Sequence, residues 1–183
     1  MGRLIYFGIT SLDGYTEDAD GDFAWSAPDE EVHQFANDLT RPVGTHLMGR
    51  RMYETMAYWE TTDPGWSDIE EEFAAILKDS DKVVYSRTLE EITAPRTRLE
   101  RDFDPGAVRR LKDEAERDLA VSGPNLAAQA IAAGLVDEYQ QLLNPIAVGG
   151  GKRFLPQGVR IELELLEERR FANGVVFLRY AAG

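Results

Sequence analysis

Between Asp118 and Lys152 the chain reads DLAVSGPNLAAQAIAAGLVDEYQQLLNPIAVGGGK, and no other stretch limits the choice of fold so strongly. A short apolar run, Leu119–Val121, meets Ser122-Gly123-Pro124-Asn125. A helical pattern starts at once, stops at Gly134 and yields to a second apolar run, Tyr139–Val148. Strand, tight turn, helix, strand is the repeating unit of α/β proteins. Gly123 has no Cβ and lets the backbone approach a ligand closely. Pro124 at the first helical position forfeits no hydrogen bond, and Gly134 suits the left-handed residue just past a helix. The N–H groups of Asn125, Leu126 and Ala127 then point out of the helix start with the positive end of its dipole, an arrangement that suits a phosphate. Taken alone, the pattern reads first as an ordinary capped helix of an α/β protein, and it gains meaning only with other sites beside it.

The remaining elements fall in with it. Arg3–Thr10 is almost continuously apolar, as a strand buried on both faces would be. It runs into Ser11-Leu12-Asp13-Gly14-Tyr15, where Asp-Gly signals a turn. A polar loop with Phe23 and Trp25 follows. Its aspartates at 18, 20 and 22 are spaced as in a calcium loop, but the glycine stands at 21 and no glutamate occupies the closing position. Pro28-Asp29-Glu30-Glu31 opens a helix whose apolar face is Val32, Phe35, Ala36 and Leu39. Thr45–Met48 predicts a short strand ending at Gly49-Arg50-Arg51, followed by helices over Met52–Trp59 and about Trp66–Asp79. Lys82–Ser86 predicts a further strand ending in Ser86-Arg87-Thr88, with a weaker extended piece near Thr97–Arg101. Asp104-Pro105 caps another helix. Alternation through Ile161, Leu163 and Leu165 predicts a half-buried strand, and Asn173-Gly174 a type I′ hairpin into Val175–Tyr180. The expectation is one domain of α/β class: a mixed, mainly parallel sheet closing in an antiparallel hairpin.

Composition narrows the function. The 183 residues carry a net charge of −13, which opposes nucleic acid and anionic membranes as partners. No apolar run approaches the roughly 20 residues of a membrane span. There is no cysteine, hence no disulfide, thiolate metal site or cysteine nucleophile. The first residues lead into a strand-like run with no signal-peptide pattern, so a cytoplasmic location is expected. His33 and His46 lack metal-ligand spacing, and no metal site is expected. Gly149-Gly150-Gly151-Lys152-Arg153-Phe154 fails the dinucleotide fingerprint at its third glycine, and Gly151-Lys152 fails the P-loop. No G-x-S-x-G elbow is present. Three strand ends remain: Gly49-Arg50-Arg51, Ser86-Arg87-Thr88 and Ser122-Gly123-Pro124-Asn125. In an open α/β sheet such ends share one edge, where ligands bind. Arginines, hydroxyls and a helix mouth together suit a ligand with several phosphates.

The segments RLIYFGITSLDGYTE, LMGRRMYETM, VVYSRTLEE, LAVSGPNLAAQAI and GLVDEYQQLLNPIAVGGGKRFL, in this order before a closing hairpin, resemble the dihydrofolate reductase superfamily. More closely they are similar to the bacterial branch related to the reductase domain of riboflavin biosynthesis. The resemblance runs from about Arg3 to Tyr180. It implies a three-layer α/β/α fold with NADPH along the strand ends. It puts Gly49, Arg50, Arg51 and Met52 at the cofactor phosphates and Ser86 and Arg87 beside the adenosine 2′-phosphate. Ser122, Gly123, Pro124, Asn125 and Leu126 would hold the pyrophosphate, while Thr10 and Asp13-Gly14-Tyr15 would border the nicotinamide.

On the substrate side, the resemblance implies one carboxylate at the start of the first long helix, where Asp29, Glu30 and Glu31 compete. Asp13 is a second candidate acid or orienting group. Glu31 and Asp13 are therefore the catalytic candidates, with Trp25, Glu30, Phe35 and Tyr53 at the substrate. The implied reaction is NADPH-dependent hydride delivery to a C=N or C=O bond of a pteridine- or ribosylaminopyrimidine-like molecule. Relatives of that kind include 5-amino-6-(5-phosphoribosylamino)uracil reductase and dihydrofolate reductase. A homodimer is expected on the same ground. In the bacterial pathway the reductase is commonly joined to a cysteine-ligated zinc deaminase, so this cysteine-free chain is expected to be a stand-alone relative. The alternative is a non-catalytic nucleotide-binding or regulatory protein that keeps the fold.

Overall fold

The computed structural model describes residues 1–183. Its centre is an eight-stranded sheet. In chain order the strands are β1 (Leu4–Ser11), β2 (Tyr15–Glu17), β3 (Val43–Gly49), β4 (Asp81–Tyr85), β5 (Thr97–Glu100), β6 (Asp118–Ser122), β7 (Glu138–Asn144), β8 (Lys152–Arg153), β9 (Leu163–Arg170) and β10 (Val176–Ala182). The sheet order is β5-β4-β3-β6-β1-β7-β10-β9, and β2 and β8 pair separately. The first six positions are joined by parallel ladders and β10 and β9 by antiparallel ones. The helices are α1 (Glu30–Thr40), α2 (Arg50–Met56), α3 (Asp68–Asp79), α4 (Pro105–Glu114) and α5 (Pro124–Ala132), with 3-10 turns at Ala24–Ser26 and Ala57–Glu60.

Because side chains alternate along a strand, neighbours on β3 and β4 serve different layers. Leu47 and Val83 join Val108 of α4 and Leu126, Ala127, Ala130 and Ile131 of α5 in the main core. Met48 and Val84 face the other way and pack with Tyr53 of α2. Further along that second face Val32 and Ala36 of α1 meet Leu142, Phe171 and Phe177. The result is the expected three-layer α/β/α arrangement. Phe154 seals the main core by stacking on Tyr6 at 4.2 Å over Gly8, where a Cβ would lie 2.6 Å from its ring. No helix is long and apolar enough to cross a membrane.

The closing hairpin departs from expectation twice. β9 forms as a strand, but as the outermost one every residue in it is exposed, not half-buried. The turn is also not type I′, because Asn173 does not have positive φ. Gly174 N–H donates to the Phe171 carbonyl, Phe171 N–H to the Val175 carbonyl, and Gly174 alone takes φ +89°. This is the longer turn with a glycine bulge, which suits Asn-Gly equally well. The β2–β8 pair was not expected. It depends on Gly151 at φ +127°, where a Cβ would stand 2.0 Å from the Glu17 carbonyl oxygen.

Candidate functional site

Parallel pairing settles where the three strand ends lie. Gly49 is the register partner of Tyr85, and Met48 of Ser122, so β4, β3 and β6 finish side by side. β5 ends beside them, with Glu100 opposite Tyr85. The corners therefore line one rim, at the edge where open parallel sheets bind ligands.

Two helices begin on this rim behind glycines. Gly123 precedes α5 at φ +89°, ψ 126°, and Gly49 precedes α2; neither helix has a side-chain cap. A Cβ built on either glycine meets nothing within 4 Å, so the space before both helix mouths is open. The first N–H groups of a helix have no intrahelical partner. An open, uncapped mouth with Pro124 at its first position thus fits a phosphate. Leu126 is buried and fixes α5 against the core, whereas Asn125 is exposed at the mouth.

The arginines tie the corners together. Arg50 Nη1 donates to Thr88 Oγ1 at 3.1 Å and its Nε to Glu54 at 2.6 Å, bridging α2 to the turn after β4. Arg51 Nη1 lies 3.3 Å from Glu17 Oε1, and Lys152 Nζ 2.8 Å from the same oxygen. The β2–β8 pair thereby borders the rim. Tyr15 on β2 stacks beneath the Arg153 guanidinium at 5.0 Å. Met52 packs behind, against the small core under α2. Ser86 is buried, and its Oγ accepts from the Thr88 and Leu89 N–H groups, so it shapes the turn; only its own O–H is left to donate outward. Arg87 stands out from the turn, 81% exposed, paired to Asp102.

Several expected residues are placed differently. Thr10 is fully buried, its hydroxyl accepting from Gln141 Nε2 at 2.7 Å, so its side chain braces the sheet and does not border a ligand. Tyr53 is also buried; its hydroxyl accepts from the Thr93 and Ala94 N–H groups and pins the segment after β4, a core role and not a substrate wall. Phe35 is partly buried and packs edge-on against Phe171 and Phe177, at 5.2 and 4.8 Å, on the core cluster beneath α1. Trp25 is partly exposed on the turn beside β1, its Nε1 donating to the Asp22 carbonyl.

The candidate acids differ in how they are engaged. Asp13 accepts the Val148 N–H at 3.1 Å and the Gly149 N–H at 2.7 Å. The Ser11 hydroxyl, with these N–H groups, holds its carboxyl below the usual carboxylate range, so it is an anion that orients the Val148–Gly149 loop, with Gly14 at φ +85° turning the chain beneath it. Glu31 joins Arg169 at 3.0 Å and the Ala172 N–H at 3.4 Å, fastening α1 to the hairpin. Asp29 caps α1 through the Val32 N–H. Glu30 is exposed at the first position of α1, with no hydrogen bond or ion pair from its side chain.

Sequence reasoning missed the contributions of Glu17, Lys152, Arg101 and Asp102 to the rim. A signal existed for the last two: like the other corners, Thr97–Glu100 runs straight into charged residues.

The model of the RibD C-terminal domain matches residues 3–177. The uncharacterised protein YyaP of Bacillus subtilis strain 168 is 29% identical over 182 residues, covering 97% of this chain and 94% of YyaP. A protein of Shewanella sp. PV-4 provisionally assigned to riboflavin biosynthesis has a similar structure. Its TM-score is 0.77 at 20% identity, with 99% of both chains covered. Dihydrofolate reductase of Enterococcus faecalis, solved with NADP(H), has a TM-score of 0.62 at 12% identity, covering 100% of this chain and 97% of that one. At these identities the two structures speak for the fold alone.

Proposed function

The chain belongs to the RibD C-terminal domain family, and from that premise we propose that it is an NADPH-dependent reductase of the riboflavin-pathway type. Its substrate is a small heterocycle, ribosylaminopyrimidine- or pteridine-like, reduced at a C=N or C=O bond. The observation that carries this reading is the common rim of β4, β3 and β6, with two uncapped helix mouths and Arg50, Arg51 and Arg87 beside them. NADPH, when bound, supplies the hydride. The mouth of α5 takes its pyrophosphate, the start of α2 with Arg50 and Arg51 further phosphate oxygens, and Arg87 the 2′-phosphate, since a guanidinium offers two parallel donors. Asp13 holds the Val148–Gly149 loop in place at the nicotinamide end. Glu30, the one unengaged carboxylate at the start of α1, meets the substrate ring and passes it a proton from solvent. The test is NADPH titration followed by quenching of the three tryptophans. Saturation at micromolar cofactor is expected, and absence of saturation at millimolar cofactor rejects the proposal.

A second reading, a nucleotide-binding protein without turnover, draws support from the engagement of Asp13 and Glu31 with protein groups. NADPH binding without oxidation of NADPH across pterins, ribosylaminopyrimidines and reactive carbonyls would favour it. The proposal includes a homodimer. Leu163, Leu165 and Leu166 are exposed apolar side chains on β9, the outermost strand of the sheet. Light scattering should give twice the chain mass, and Leu165→Glu should return a monomer.

A further inference from the structure

The end of β5 is a fourth corner of the rim. Arg101 Nη1 donates to the Ser86 carbonyl at 3.1 Å and the Leu89 carbonyl at 2.6 Å, clamping the turn that carries Arg87. The next residue, Asp102, takes hold of Arg87 itself. Its Oδ1 accepts from Arg87 Nε at 2.7 Å and from Nη2, while Oδ2 has no protein partner. A carboxylate is thus already seated on the guanidinium face that a ligand phosphate would use, with a spare acceptor oxygen alongside.

We propose that Asp102 is a specificity-determining residue: it sets how strongly this protein prefers the 2′-phosphorylated dinucleotide over the form with a free 2′-hydroxyl. The inference rests on the nucleotide reading above. A phosphate monoester carries nearly two negative charges near neutral pH. To reach Arg87 it must displace one carboxylate and then remain close to it, and like charges at that separation repel. A ribose 2′-hydroxyl brings no charge and can donate to Oδ2, as ribose hydroxyls do to acidic residues in other dinucleotide sites. One side chain therefore opposes NADPH and assists NADH. Asp102 is 64% exposed, and an exposed ion pair contributes little to folding. With Arg101 still holding the turn, removal of the carboxylate leaves Arg87 in place and free.

The experiment measures dissociation constants of NADPH and NADH for the unmodified chain, Asp102→Asn and Asp102→Ala, by tryptophan quenching at low and high salt. The expected result is that the ratio of NADPH to NADH affinity rises about tenfold in both variants, roughly 1.4 kcal/mol. The gain for NADPH shrinks as salt screens the charges. A ratio that stays unchanged or falls in both variants, while the unmodified chain binds NADPH, overturns this inference alone. Binding of neither cofactor by the unmodified chain overturns the nucleotide reading and this inference with it.

Discussion

Acidification from pH 7 to pH 4.5 is expected to cost this protein about 2–3 kcal/mol through one side chain, His46. His46 lies on β3 opposite Lys82, 6% exposed, and its Nε2 is buried without a hydrogen-bond partner. Lys82 is itself buried and spends its charge on Glu60 at 3.0 Å. Burial first, and the charges of Lys82 and Arg117 after it, push the imidazole down to about 4. In the unfolded chain the ring titrates near 6.5. Between those two values the unfolded state binds the extra proton, so stability falls as pH drops from about 6.5 and levels off below about 4. Each unit inside that window is worth about 1.4 kcal/mol, and pH 4.5 lies about two units into it. Urea unfolding at pH 7.0 and 4.5, compared between the unmodified chain and both His46→Gln and His46→Leu, isolates this contribution. Carboxylates cancel in the comparison. Glu72 is one, lowered to about 2 by Asn37, Arg41 and Gln34; its contribution is present above about 4.5 and disappears as pH falls toward 2. The variants should lose about 2–3 kcal/mol less than the unmodified chain. Parallel loss in all three proteins would show that the folded protein tolerates a charged His46 and would refute the argument.

Four further substitutions probe the rim and its support. Arg87→Ala should weaken NADPH about tenfold more than NADH in a binding titration; equal loss for both would remove the 2′-phosphate role. Glu30→Gln should lower turnover at least tenfold and leave NADPH affinity unchanged, whereas Glu31→Gln should chiefly lower the unfolding free energy, because Glu31 ties α1 to Arg169. Phe154→Ala, which removes a buried ring stacked on Tyr6, should cost about 3–5 kcal/mol in urea unfolding.

Most of the architecture was legible before any coordinates. The apolar runs of β1, β4 and β6 are short and continuous, the pattern of parallel strands covered on both faces, and β6 leads directly into a helix start. The corner at Gly123 was legible for the same local reason, since Ser-Gly-Pro-Asn between a strand and a helix leaves the chain few alternatives. β9 misled because alternation of Leu163 and Leu165 with glutamates reports a preference for one face, not whether anything covers it. The β2–β8 pair was invisible, being two very short segments separated by more than 130 residues of chain and held by a contact only Gly151 permits.

The carboxylates mark the limit most clearly. Asp13, Glu30 and Glu31 are equivalent as letters, each an acid near a turn or helix start. Asp13 is spoken for by N–H groups 135 and 136 residues away, and Glu31 by an arginine 138 residues away, leaving Glu30 free. Local periodicity and turn chemistry depend on neighbours within a few residues, so the order of strands, helices and phosphate-suited corners was written in the sequence itself. Which corners became adjacent, and which charges were already paired, depended on residues brought together from opposite ends of the chain. Only the packed sheet could decide that, because a side chain's partners are set by folding and not by its place in the sequence.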